Sequence, residues 1–113
     1  MSACVVEFSS KDAWDAAYDA LLVRRTELQK DMARHHLVQT LVRHADDALG
    51  NLRGFAHPAA MHKLAAQAFT NEQLWQISAA LAVRMTAGHL SEKERMAAIG
   101  AHDIVHLAVQ VRA

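Results

Sequence analysis

The sequence predicts an all-α fold: one domain spanning residues 1–113, built as a four- or five-helix bundle, with a long N-terminal helix or helical hairpin and room for short terminal strands. Three observations predict it. Glycine and proline are scarce, four and one respectively, so residues 11 to 49 run without a breaker. Helix-start chemistry recurs along the chain as Ser or Thr followed three residues later by a residue that closes a capping box. Apolar residues between these starts fall at helical spacing.

Residues 1–10 read as an N-terminal tail or edge segment, and "CVVEF" within them is rich in β-branched residues. Ser9 and Asp12 have capping-box spacing, although Asp reaches back less well than Glu. From there Trp14, Leu21, Leu28, His35, Val42 and Leu49 recur every seven residues, flanked by Tyr18 and Met32. A strict seven-residue repeat implies a left-handed supercoiled seam. One continuous helix over 11–49 would be roughly 58 Å long at 1.5 Å per residue. The alternative is a break near "QKDMARHH", with Asp31 starting a second helix.

Residues 50–57, with Gly50 and Gly54, read as a loop, and Pro58 suits a first helical position. Met61, Leu64, Ala65, Ala68 and Phe69 then share one helical face. Thr70 and Gln73 form a capping box, with Phe69 stapled onto Leu74, ahead of a stripe of Leu74, Ile77, Ser78, Leu81 and Met85. Gly88 suits the left-handed position that ends a helix, and Gly100 marks a further break. Ser91 and Glu94 make a second capping box. The tail "IVHLAVQV" is β-branched enough to pair with "CVVEF", but reads better as a helix with Ala97, Ala101, Ile104, Leu107, Ala108 and Val111 on one side.

Composition narrows the function classes. Twelve basic residues balance twelve acidic ones, which leaves no global field for nucleic acid or an anionic membrane. Eight histidines make the net charge sensitive to pH near their ordinary pKa of about 6.5. The single cysteine, Cys4, has no partner for a disulfide or a CxxC metal site. No stretch approaches the roughly 18 apolar residues of a membrane span, and the start lacks the basic region of a signal peptide. These features lead to a cytoplasmic expectation, and the alanine- and arginine-rich composition suits a GC-rich bacterial genome.

"HDIVH", residues 102 to 106, is the one stretch that looks like chemistry. His102 and His106 share a helical face at a spacing that permits both to bind one metal, as in zincin helices. Asp103 stands where the zincin Glu belongs and is one methylene shorter. A third protein ligand, from His62 or His89, requires tertiary folding. The His102–Asp103 dipeptide also resembles that of HD phosphohydrolases, but no further ligand of such a site can be placed. The plainer reading is a polar, solvated helix face, and no cofactor is expected.

Residues 24–44 are locally basic through Arg24, Arg25, Lys30, Arg34 and Arg43, with His35, His36 and His44 among them. A basic helix of this kind can touch nucleic acid. The competing reading is a solvated face that balances the acidic start at Asp12, Asp15 and Asp19, and nucleic acid is not the expected partner. No Gly-rich phosphate loop or nucleophile with a placed base appears. The preferred function is therefore a small non-enzymatic interaction or regulatory protein, of inhibitor or adaptor type. It is expected to form a homodimer through Trp14, Tyr18, Leu21, Leu28, Met32, His35, Val42 and Leu49. A histidine-based metalloprotein or small hydrolase using 102–106 is the alternative, followed by a weak nucleic-acid binder through 24–44.

Overall fold

A computed structural model describes residues 4–6, 8, 11–31, 38–53 and 67–112. Among them the fold is all-α, carried by four helices: α1 (Lys11–Asp31), α2 (Val38–Arg53), α3 (Asn71–Met85) and α4 (Glu92–Arg112). A short antiparallel ribbon accompanies them, in which β1 (Cys4–Val6) pairs with β2 (Gln67–Phe69) in the register Cys4 to Phe69 and Val6 to Gln67.

The N-terminal half is a helical hairpin. The continuous alternative fails on size, because the molecule's longest dimension is 41 Å, against the roughly 58 Å such a helix would need. Asp31 closes α1 and does not open α2. The two helices lie against each other, and Arg25 Nε donates to Asp46 Oδ1 across them at 2.7 Å. Folding back covers most of the described apolar residues of the heptad seam within one chain. Trp14, Leu21, Val42 and Leu49 are all buried by their own fold. Alanines at 13, 16, 17, 20, 45 and 48 are buried beside them, small enough to let backbones approach closely.

α3 begins as the sequence dictates. Thr70 Oγ1 accepts from the Gln73 N–H, and the Gln73 side chain accepts from the Thr70 N–H. Phe69 and Leu74, the staple pair, are fully buried. Leu74, Ile77 and Leu81 are completely buried, and Met85 packs against the core from its edge. Gln76 and Ala80 are buried as well, because α3 touches α1, α2 and α4 at once. At 100° per residue its buried arc covers roughly 200° of the helix.

α4 starts at the second capping box, where Ser91 N–H donates to Glu94 Oε1 and Glu94 N–H donates to Ser91 Oγ, both at 3.2 Å. Its buried stripe is Ala98, Ala101, Val105 and Val109, flanked by Ala97, Ile104 and Ala108. That stripe is rotated from the expected one, and Leu107 lies outside it, 61% exposed.

Several boundaries differ from expectation. α2 runs through Gly50 to Arg53, so the first four residues of the expected loop are helical; 54–57 lie outside the described residues. Ala68 and Phe69 belong to a strand rather than a helix, because β1 offers their backbone a ladder; Met61, Leu64 and Ala65 lie outside the described residues, as do Ser9 and Pro58. β1 pairs with β2 and not with the tail, which is helical to Arg112. No described glycine has positive φ, so α3 ends without a left-handed Gly88: Thr86 caps it, its N–H donating to the Val83 carbonyl while the Ala87 N–H donates to that of Arg84. Gly100 sits inside α4, where its small size meets no packing need, since an added Cβ would find nothing within 4 Å. The ribbon brings Val6, Phe8 and Phe69 into the core.

Candidate functional site

Helix α4 carries "HDIVH" at the edge of its buried stripe, not on a fully solvated face. The rings of His102 and His106 stack, with centroids 5.2 Å apart and planes 13° from parallel. The His102 side chain is only 18% exposed, with Nδ1 3.8 Å from Asp103 Oδ1. Asp103 itself projects into solvent. Among the described residues no group of three or more His, Cys, Asp or Glu side chains stands where it could hold a metal ion. His89, a suggested third ligand, instead lines a groove between α1 and α3; His62 lies outside the described residues. What the arrangement provides is a half-buried aromatic pair packed along one helix.

Two residues of the basic segment, Arg24 and Arg25, are occupied with holding helices together. Arg24 Nε donates to Gln76 Oε1 at 2.6 Å, joining α1 to the buried polar residue of α3. Arg25 pairs with Asp46, and Lys30 with Glu27 at 3.3 Å. Burial pushes the Arg24 guanidinium down from its ordinary pKa, and its hydrogen-bond partner among the described residues is a neutral amide. Arg43 is exposed, while Arg34, His35 and His36 lie outside the described residues.

The acidic start meets its own partners. Asp15 lies 3.4 Å from Lys11, and Asp12 lies 3.8 Å from Lys93. Arg84 Nη2 stands 4.0 Å from Asp19 and 3.9 Å from Glu94, bridging α1, α3 and α4. Glu94 is held below its ordinary carboxylate pKa by hydrogen bonding to Ser91, from the side chain first and then the backbone.

The eight residues expected to form a dimer seam are brought together only in part. Trp14 and Leu21 are buried in α1, with Trp14 stacked on Tyr18 at 5.3 Å. Val42 and Leu49 are buried in α2, and Tyr18 and Leu28 pack against the core. Met32 and His35 lie outside the described residues.

Two features escape the sequence reading. One is the outer arc of α3, where Glu72, Trp75, Ala79, Ala82, Val83 and Thr86 face outward and only Glu72 is charged. The other is a groove of about 300 Å³ between α1 and α3, walled by Val23, Leu28 and Val83. The first was available in the spacing of α3. The second needs two helices brought side by side.

No family model matches the chain, and neither curated proteins nor solved structures yield a match. Among the described residues no helix is long and apolar enough to cross a membrane.

Proposed function

We propose that the chain is a cytoplasmic, non-enzymatic interaction or regulatory module that self-associates through the outer arc of α3. One observation carries this reading: on that arc Trp75 is 53% and Val83 66% exposed, with only alanines, Thr86 and the charge of Glu72 around them. A large aromatic left in water on an otherwise small-residue face suits a contact in which the alanines admit a neighbouring helix and the ring supplies the area.

The face is self-complementary. In an antiparallel pair of α3 helices with the two-fold axis at Ala79, Trp75 of one copy lies against Val83 of the other, and the reverse contact follows by symmetry. The strip is roughly 22 Å long and one helix wide, well short of the about 800 Å² per partner of a standard interface. Flanking surface has to join it, and the association is weak. Trp14, Leu21, Val42 and Leu49 of the hairpin seam are already covered within a single chain, so the flanking surface lies elsewhere.

Sedimentation equilibrium over a wide concentration range tests the proposal. The expected result is a reversible dimer that Trp75→Ser and Val83→Asp each convert to monomer without loss of helix content. A wild-type chain that is monomeric at every concentration overturns self-association, and a dimer that both variants leave intact moves the interface off α3.

A further inference from the structure

We infer that the groove between α1 and α3 binds a small organic carboxylate, with the apolar body of the ligand between the helices and its anionic group on Arg24. The inference does not rest on self-association, although Val83 borders both surfaces, so its test uses protein dilute enough to be monomeric.

The groove has a floor and walls of one character and a mouth of another. Ala20 and Ala80 form the floor, and Val23, Leu28 and Val83 the walls. At about 300 Å³ it lies at the lower end of the roughly 300–1,000 Å³ of small-molecule sites. The walls remain wet, since Val23 is 55% exposed. An aliphatic or aromatic body placed there removes apolar surface from water on both helices.

The mouth selects the charge. Arg24 is half-buried, and the Nε bond to the neutral amide of Gln76 is its one hydrogen bond among the described residues. No carboxylate stands within ion-pair distance of it there, so the cost of desolvating its charge is not repaid within the described chain. With Nε engaged, the two terminal nitrogens remain as a fork of the shape that grips a carboxylate in two parallel hydrogen bonds. Arg84 also borders the groove, but its charge is shared with Asp19 and Glu94 on the far side. Among the described residues Glu27 is the one acid on the lining and is drawn toward Lys30, while His89 adds a further nitrogen base at the rim. The balance at the mouth is positive at Arg24.

Titration of the whole chain with octanoate, and separately with octanamide as its neutral counterpart, tests the inference by calorimetry and by amide shifts around Ala20 and Ala80. Octanoate is expected to bind one site saturably, and octanamide about ten- to hundredfold more weakly, the range for one charged hydrogen-bonded pair. Arg24→Gln should weaken octanoate by a similar factor. Glu27→Gln should tighten it about twofold by removing the nearby like charge. Because Arg24 also ties α1 to α3, Val23→Asp provides a second reading on an exposed position: a carboxylate on the wall next to Arg24 should weaken octanoate at least about tenfold. Equal binding of octanoate and octanamide, or octanoate binding unchanged in both Arg24→Gln and Val23→Asp, overturns the inference. So does the absence of saturable octanoate binding.

Discussion

Helices α3 and α4 start alike and end as different parts of the molecule. Each opens on a capping box, yet α3 buries leucine and isoleucine side chains completely and packs on all three other helices. α4 buries two alanines and two valines along a narrow stripe and carries a glycine in its middle. The difference teaches that stability here is concentrated on one helix. α3 is surrounded, so nearly any truncation on its inner arc opens a cavity, whereas α4 closes the bundle from one side.

The sharpest way to break that comparison is Leu81→Ala. At a fully buried position it is expected to cost about 2–5 kcal/mol, read from urea melts. A loss below about 0.5 kcal/mol would mean that α3 is not the centre of the core. Val105→Ala, also fully buried but on α4, is expected to cost less, about 1.5–3 kcal/mol. Equal costs at the two sites would erase the distinction. Gly100→Ala should go the other way and stabilise by about 0.5–1 kcal/mol, since the added methyl meets open space and the helix loses its most flexible residue. A destabilised variant there would show that the middle of α4 is packed more tightly than its surroundings indicate.

The smallest effect is at the start of α4. Glu94 is held below its ordinary pKa by Ser91, so the cap contributes most above the unfolded-chain value. That contribution is lost as pH falls through the lowered folded value. Thermal melts between neutral and acidic pH should therefore show a smaller acid-induced drop in Glu94→Ala than in the wild type. An identical drop in both would mean that the cap carries no linkage. No comparable acid stands in the cap of α3, where neutral Gln73 takes that place.

What the sequence disclosed follows from how local each signal is. The two capping boxes and the Leu74–Met85 stripe were legible because each is fixed by residues within one or two turns. The heptad through Trp14, Leu21, Leu28, His35, Val42 and Leu49 was legible as an apolar seam, for which the sequence points to a second copy as cover; that α2 folds back on α1 and buries Trp14, Leu21, Val42 and Leu49 within one chain is tertiary. On α4 hydropathy favoured Leu107 and passed over Ala98, whereas geometry buries the small residue against its neighbours and leaves the large one outside. Gln76 reads as an ordinary exposed amide until Arg24 is brought across from α1 to meet it. β2 is three residues long and exists only because β1 pairs with it. The groove has no signature in either helix alone.

The ribbon also bears on the order of assembly. Its register joins Cys4 to Phe69, a separation of 65 residues (69 − 4), whereas the Arg25–Asp46 contact spans 21 (46 − 25). Closing the longer loop costs about 1 kcal/mol more chain entropy than closing the shorter one. The return on that closure is only a three-residue ladder plus the burial of Val6, Phe8 and Phe69. On loop entropy alone, the α1–α2 hairpin closes before the β1–β2 ribbon.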